Sequence, residues 1–143
     1  MLWFDEYKKL LQDERDYYKE FIYDDDQRKI ALDYDRFIES LKDIANNPDE
    51  LKHMNRRINF AEEIALLFVD ETLFISHILY NMKLIDNDII ELINQIDENF
   101  NEIAKDNKND WSIDYMIKNA MWVNIRNIAN KILIMLNEAD DIV

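Results

Sequence analysis

Glycine and cysteine are missing from this 143-residue chain, and proline occurs once, at Pro48. Without glycine no phosphate-cradling loop of the P-loop or dinucleotide type is expected, because both need backbone that only glycine adopts freely. Without cysteine there is no disulfide framework and no thiolate metal site. Hydroxyl nucleophiles are scarce: Ser40, Thr72, Ser76 and Ser112 are the only serines and threonines, and His53 and His77 the only histidines. Long apolar runs are lacking too. The longest, Ile64 to Val69 and Ile132 to Leu136, are far too short to cross a bilayer. The opening Met1-Leu2-Trp3-Phe4-Asp5-Glu6-Tyr7 has no basic stretch, so no signal peptide is expected and a cytoplasmic protein is.

What is present in excess is acid. Asp and Glu number 31 against 17 Lys and Arg, for a net charge of −14. Such a chain is repelled by nucleic-acid phosphates and anionic lipid and drawn to cationic surfaces, so neither nucleic acid nor membrane is expected as a direct partner. Apolar residues make up 48% of the chain, more than an acidic disordered tail carries. The length argues for a single helical domain, residues 1–143, able to bury about two-thirds of its unfolded surface.

Apolar spacing is helical almost throughout. Trp3, Tyr7, Leu10, Leu11, Tyr17, Phe21 and Ile22 form one stripe at three- and four-residue steps. Asp24-Asp25-Asp26 ends that helix and is placed to cap a second, which carries Ile30, Tyr34, Phe37, Ile38, Leu41, Ile44 and Ala45. Asn46-Asn47-Pro48-Asp49-Glu50 reads as a boundary, with an N-cap, a proline at the first helical position and acids behind it. A third helix carries Leu51, Met54, Ile58, Ala61, Ala65 and Phe68 and either stops near Asp70 or continues to Leu84. Asp86-Asn87-Asp88 caps the next, with Ile89, Ile93, Ile96, Phe100 and Ile103 inside. After a polar loop from Asp106 to Asp110, one long helix is expected from Trp111, with two apolar stripes that suit a centrally packed element. The expected fold is all-α, a bundle of five or six helices with a long, centrally packed C-terminal helix.

No catalytic or metal constellation emerges, so no cofactor and no enzyme activity are expected. Glu50-Leu51-Lys52-His53 is one Glu-x-x-His, but a di-iron bundle needs a second, and His77 has Phe74 three residues before it. Magnesium sites of all-α pyrophosphohydrolases use Glu-x-x-Glu pairs; none occurs, and the one Glu-x-x-Asp is Glu138 with Asp141. Asp13 with Asp16, and Asp88 with Glu91, share helix faces and read as solvated acids. Ser76 and His77 are neighbours on a helix and point apart; His77 is expected as a hydrogen-bonded histidine at the core edge. Substrate pockets built from distant residues would leave no spacing signal.

Arg126-Asn127-Ile128-Ala129-Asn130-Lys131 resembles the Arg-Asn-x-x-x-His motif of HEPN-domain ribonucleases, in which Arg and His act together on RNA in a dimer cleft. The resemblance covers two motif residues. Lys131 stands in the histidine's place and no histidine follows, so it implies a catalytically degenerate, dimeric component of a toxin–antitoxin or RNA-processing system, with Arg126 in a shared cleft.

Charge segregation carries the functional reading. Between Lys83 and Lys105 there is no basic residue, while Asp86, Asp88, Glu91, Asp97, Glu98 and Glu102 are acidic. With the isoleucine stripe buried, Glu91 and Glu98 lie on the opposite face, roughly 10 Å apart at 1.5 Å per residue. The two readings are a solvated face screened by salt and a docking face for a cationic protein. Lys52, His53, Arg56 and Arg57 form the one basic strip, suited to acids of a neighbouring helix. Tyr18 and Tyr23 are candidates for part-exposed anchors. The expected function is therefore an acidic helical binding protein that masks a cationic partner, such as an immunity protein or inhibitor of a nuclease toxin. Its expected contacts are Asp88, Glu91, Glu98 and Glu102, with Asp24, Asp25 and Asp26 as a second patch. A scaffold subunit of a larger complex is a further alternative.

Overall fold

A computed structural model describes residues 2–21, 24–51 and 60–139. Among them there is no strand, and the fold is all-α. Helices α1 (Leu2–Lys8), α2 (Gln12–Phe21), α3 (Asp25–Ala45), α4 (Pro48–Leu51) and α5 (Phe60–Leu67) lead into a π-helical turn, Phe68–Thr72. From there α6 (Leu73–Asn81), α7 (Asn87–Lys105), α8 (Ile113–Lys118) and α9 (Ala120–Met135) complete the order. Two compact units result, residues 1–36 and 37–143.

Caps fall where short polar side chains stand ahead of apolar stripes. Asp24 Oδ1 accepts from Gln27 N at 2.8 Å and Asp86 Oδ1 from Ile89 N at 3.0 Å. Asn47 Oδ1 accepts from Asp49 N at 3.0 Å, just ahead of Pro48. Each satisfies an N–H that a first helical turn leaves unpaired. Helix ends that other proteins finish with glycine use larger residues here. Lys83 (φ 63°) and Asn137 (φ 57°) occupy the left-handed region. Leu84 N donates to Leu79 O, and Glu138 N to Leu133 O, closing α6 and α9 with the six-to-one bond of a Schellman motif.

In the larger unit, α7 buries Ile89, Ile90, Ile93, Ile96, Phe100 and Ile103 and packs mainly on α9. Phe100 stands 5.3 Å from both Phe68 and Trp122, edge-on to the indole. The stretch from α5 to α6 continues through Asp70-Glu71-Thr72 and does not restart there, because the π turn absorbs the extra residue. Thr72 is buried and donates to Ser40 Oγ at 2.7 Å.

The expected final helix is two. The chain turns at Asn119 (φ −69°, ψ 130°), whose Oδ1 accepts from Met121 N and Trp122 N and caps α9. The end of α8 is covered from α9: Arg126 donates to Met116 O at 2.6 Å and to Ile117 O at 3.3 Å. As a result α9 buries Trp122, Ile125, Ile128, Ala129, Ile132 and Leu133, whereas Ile113, Ile117 and Met121 are only half-buried.

The smaller unit departs further from the expected pattern. The stripe from Trp3 to Phe21 belongs to two helices, and its second half faces outward. Phe4 and Tyr7 are buried, but Leu11 is 74% exposed, Tyr17 68% and Phe21 67%. Arg15 and Lys19 are buried in their stead.

Candidate functional site

The inward turn of α2 is explained by Asp35 on α3. Lys19 Nζ donates to Asp35 Oδ2 at 2.8 Å, Tyr7 Oη donates to the same oxygen, and Arg15 Nη1 stands 3.6 Å from Oδ1. Arg15 also donates to Tyr7 O (3.2 Å) and Lys8 O (2.6 Å), and its guanidinium lies 5.3 Å from the Tyr7 ring and 5.9 Å from the Tyr34 ring. Two cations on one carboxylate thus hold α1, α2 and the start of α3 together. Burial pulls the Lys19 pKa down, but the hydrogen bonds and charges of Asp35 and Asp16 outweigh it and raise it above its ordinary value. Nothing in local spacing marks this cluster, because Asp35 lies sixteen residues beyond Lys19.

The four expected acids of α7 form one exposed stripe. Asp88, Glu91, Glu98 and Glu102 project within roughly a quarter of the helix circumference over about 21 Å of its length, given 3.6 residues per turn and 1.5 Å rise. Glu91 accepts from Asn87 Nδ2 at 3.1 Å, and Glu102 pairs with Lys105 at 3.8 Å. Asp88 and Glu98 make no ion pair among the described residues. Tertiary packing adds one cation that linear spacing does not reveal. Lys131 of α9 joins Asp88, Glu91, Leu92, Gln95 and Met135 around a shallow groove of about 290 Å³. Each end of the stripe thus has one lysine beside it, Lys131 near Asp88 and Glu91 and Lys105 beside Glu102.

The second expected patch belongs to the smaller unit. Asp24, Asp25 and Asp26 are exposed; Asp24 caps α3, and Asp25 and Asp26 sit in its first turn, where the helix dipole favours negative charge.

The remaining candidates have structural roles or lie elsewhere. Ser76 is buried and donates to Leu73 O at 2.6 Å, whereas His77 is exposed rather than at the core edge. Tyr18 is half-buried. Lys52, His53, Arg56, Arg57, Tyr23 and Asp141 fall outside the described residues. Arg126 is half-buried on the α8 carbonyls; burial lowers its pKa, with Asp49 opposing. No group of three or more His, Cys, Asp or Glu placed to hold a metal ion exists among the described residues, and no helix there is long and apolar enough to cross a membrane.

One further polar cluster orders the α7–α8 loop. Tyr115 Oη donates to Asp106 Oδ2 at 2.5 Å and accepts from Asn119 Nδ2 at 2.9 Å. Burial, then the Asp106 hydrogen bond and charge, push the Tyr115 pKa up to about 12.

Compared with family models, curated proteins and solved structures, the chain finds no match.

Proposed function

We propose that the protein is a non-enzymatic acidic binding protein that masks a cationic protein surface, in the manner of an immunity protein or inhibitor of a nuclease toxin or another nucleic-acid-handling protein. The observation that carries this reading is the stripe of Asp88, Glu91, Glu98 and Glu102 on α7, opposite a wholly apolar buried face. A row of like charge is a poor device for stabilising a helix, since only Glu102, beside Lys105, has the opposite-charge neighbour on α7 that helps ordinary surface helices. It is a good device for steering a basic partner, because the field along the stripe speeds encounter and fixes orientation. Occlusion of the partner's phosphate-binding cleft would follow from simple coverage. The degenerate HEPN-like reading needs Arg126 available in a shared cleft, and its guanidinium is already engaged on Met116 O and Ile117 O.

The test is capture by the tagged protein at low and high salt, with identification of what elutes. A basic nucleic-acid-handling protein is expected to be released by salt. The variant Glu91→Lys/Glu98→Lys/Glu102→Lys should lose it and flatten the salt dependence. Unchanged binding and unchanged salt dependence in that variant would refute the site. Recovery of nothing but the protein itself would refute the function.

A further inference from the structure

The outer surface of α2 combines two features that a free-standing helix does not favour together. Tyr17 and Phe21, one turn apart, bring their rings to 4.9 Å at a tilt of 47° while each remains about two-thirds exposed. At about 100° per residue, Asp13, Asp16 and Glu20 flank this aromatic row on one side and Glu14 on the other. The only bases of the helix, Arg15 and Lys19, are turned inward onto Asp35. Asp16 is partly answered by Lys19 at 3.2 Å, and Glu14 Oε2 accepts from Leu11 N at 3.1 Å; Asp13, in the first turn, and Glu20 have no base on their own helix. Beside the row, Asp16, Lys19, Glu20, Arg28 and Leu32 line an open groove of about 390 Å³. An apolar ridge with an acidic rim is therefore presented where the hydrophobic effect alone would have buried the rings and exposed the cations.

From this we infer that α2 docks a cationic amphipathic helix of a partner protein. The aromatic pair would take the partner's apolar stripe, and Asp13, Glu14 and Glu20 its flanking lysines or arginines. Charge complementarity selects this occupant. A second copy of the chain, paired across a two-fold axis, would set these acids against their own duplicates. Tyr and Phe provide large contact area with few rotatable bonds, which is the character of an interface anchor. α2 is a different helix from α7; the inference shares with the function proposed above only the sign of the partner's charge.

The test uses the full chain and a fluorescently labelled amphipathic helical peptide of leucine and lysine. A control peptide has the same composition, scrambled so that lysine and leucine are spread around the helix. Binding is read by fluorescence anisotropy. The amphipathic peptide should bind the wild type and lose at least about tenfold in affinity with Tyr17→Ser/Phe21→Ser, the loss expected when anchor aromatics are removed. Both substituted side chains are exposed, and far-UV circular dichroism confirms that the variant folds. The scrambled peptide should bind weakly and equally to both proteins. The charge-reversed α7 variant should keep the amphipathic peptide. Undiminished binding by Tyr17→Ser/Phe21→Ser would overturn the inference. If the α7 variant lost the peptide while Tyr17→Ser/Phe21→Ser kept it, the inference would fail and the α7 site would stand. A wild-type dimer that Tyr17→Ser/Phe21→Ser made monomeric in sedimentation would identify a second copy as the occupant, which also overturns it.

Discussion

Substituting Asp35 by alanine isolates the interaction that turns α2 around. The carboxylate accepts from Lys19 Nζ at 2.8 Å and from Tyr7 Oη, and faces Arg15 at 3.6 Å, with Arg15 only 4% exposed and Lys19 9%. Removing one partner of a buried ion pair costs about 3–5 kcal/mol, because the remaining charge is left buried and unanswered. Two local features moderate the loss. Arg15 keeps its bonds to Tyr7 O and Lys8 O, and Lys19 keeps Asp16. One aggravates it, since the Tyr7 hydroxyl loses its acceptor at a cost of about 1–3 kcal/mol. Asp35→Ala should therefore destabilise the protein by about 3–5 kcal/mol, read from urea unfolding by circular dichroism. The triple variant Arg15→Met/Lys19→Met/Asp35→Leu removes the buried charges but still leaves the Tyr7 hydroxyl without its acceptor, so it should lose only about 1–3 kcal/mol, less than Asp35→Ala. A loss under about 1 kcal/mol for Asp35→Ala would refute the electrostatic account. So would a triple variant as unstable as the single one, which would make the cluster a matter of packing.

Three other substitutions, Tyr115→Phe, Lys83→Gly and Asn137→Gly, probe the loop hydrogen bonds and the helix ends. Tyr115 has its pKa raised to about 12, so the stability it confers is present below pH 10 and lost as pH rises through about 12. Subtracting the absorbance titration of Tyr115→Phe from that of the wild type should leave one tyrosine ionising near the upper value, and a midpoint at the ordinary value of 10 would contradict the geometry. Asp106 runs the other way: the Tyr115 hydrogen bond, then the Lys108 N–H, hold its pKa below 3.8. Its contribution is therefore present above that pH and lost as pH falls further, and Tyr115→Phe should blunt that acid limb. Lys83→Gly removes a Cβ from the left-handed region and should stabilise the protein by about 0.5–1 kcal/mol. Asn137→Gly should gain less, because asparagine tolerates that region better. A lower thermal midpoint for Lys83→Gly would show that its side chain matters more than its backbone.

Much of the all-α architecture was legible in linear spacing. The α7 stripe could be read because one helix face alternates with the other at a fixed period, and burial follows that period whatever the neighbours are. Asp24, Asn47 and Asp86 could be read as caps because capping is a contact of two or three residues. The acidic stripe on α7 was visible for the same reason, since all its members share one helix. What spacing does not contain is who stands opposite.

Local pattern alone determined that the chain is helical, where several of its helices begin, and that α7 carries an acidic face. Only tertiary structure decided that Arg15 and Lys19 point inward and Tyr17 and Phe21 outward, because the carboxylate that reverses them sits on α3. It likewise decided that Asn119 breaks the last helix, because Arg126, seven residues later on α9, satisfies the carbonyls that the break exposes. Lys131 reaches the groove beside Asp88 and Glu91 by the same route. Helical period is a property of neighbouring residues, whereas the pairing of buried charges is settled by contacts between elements that have already folded.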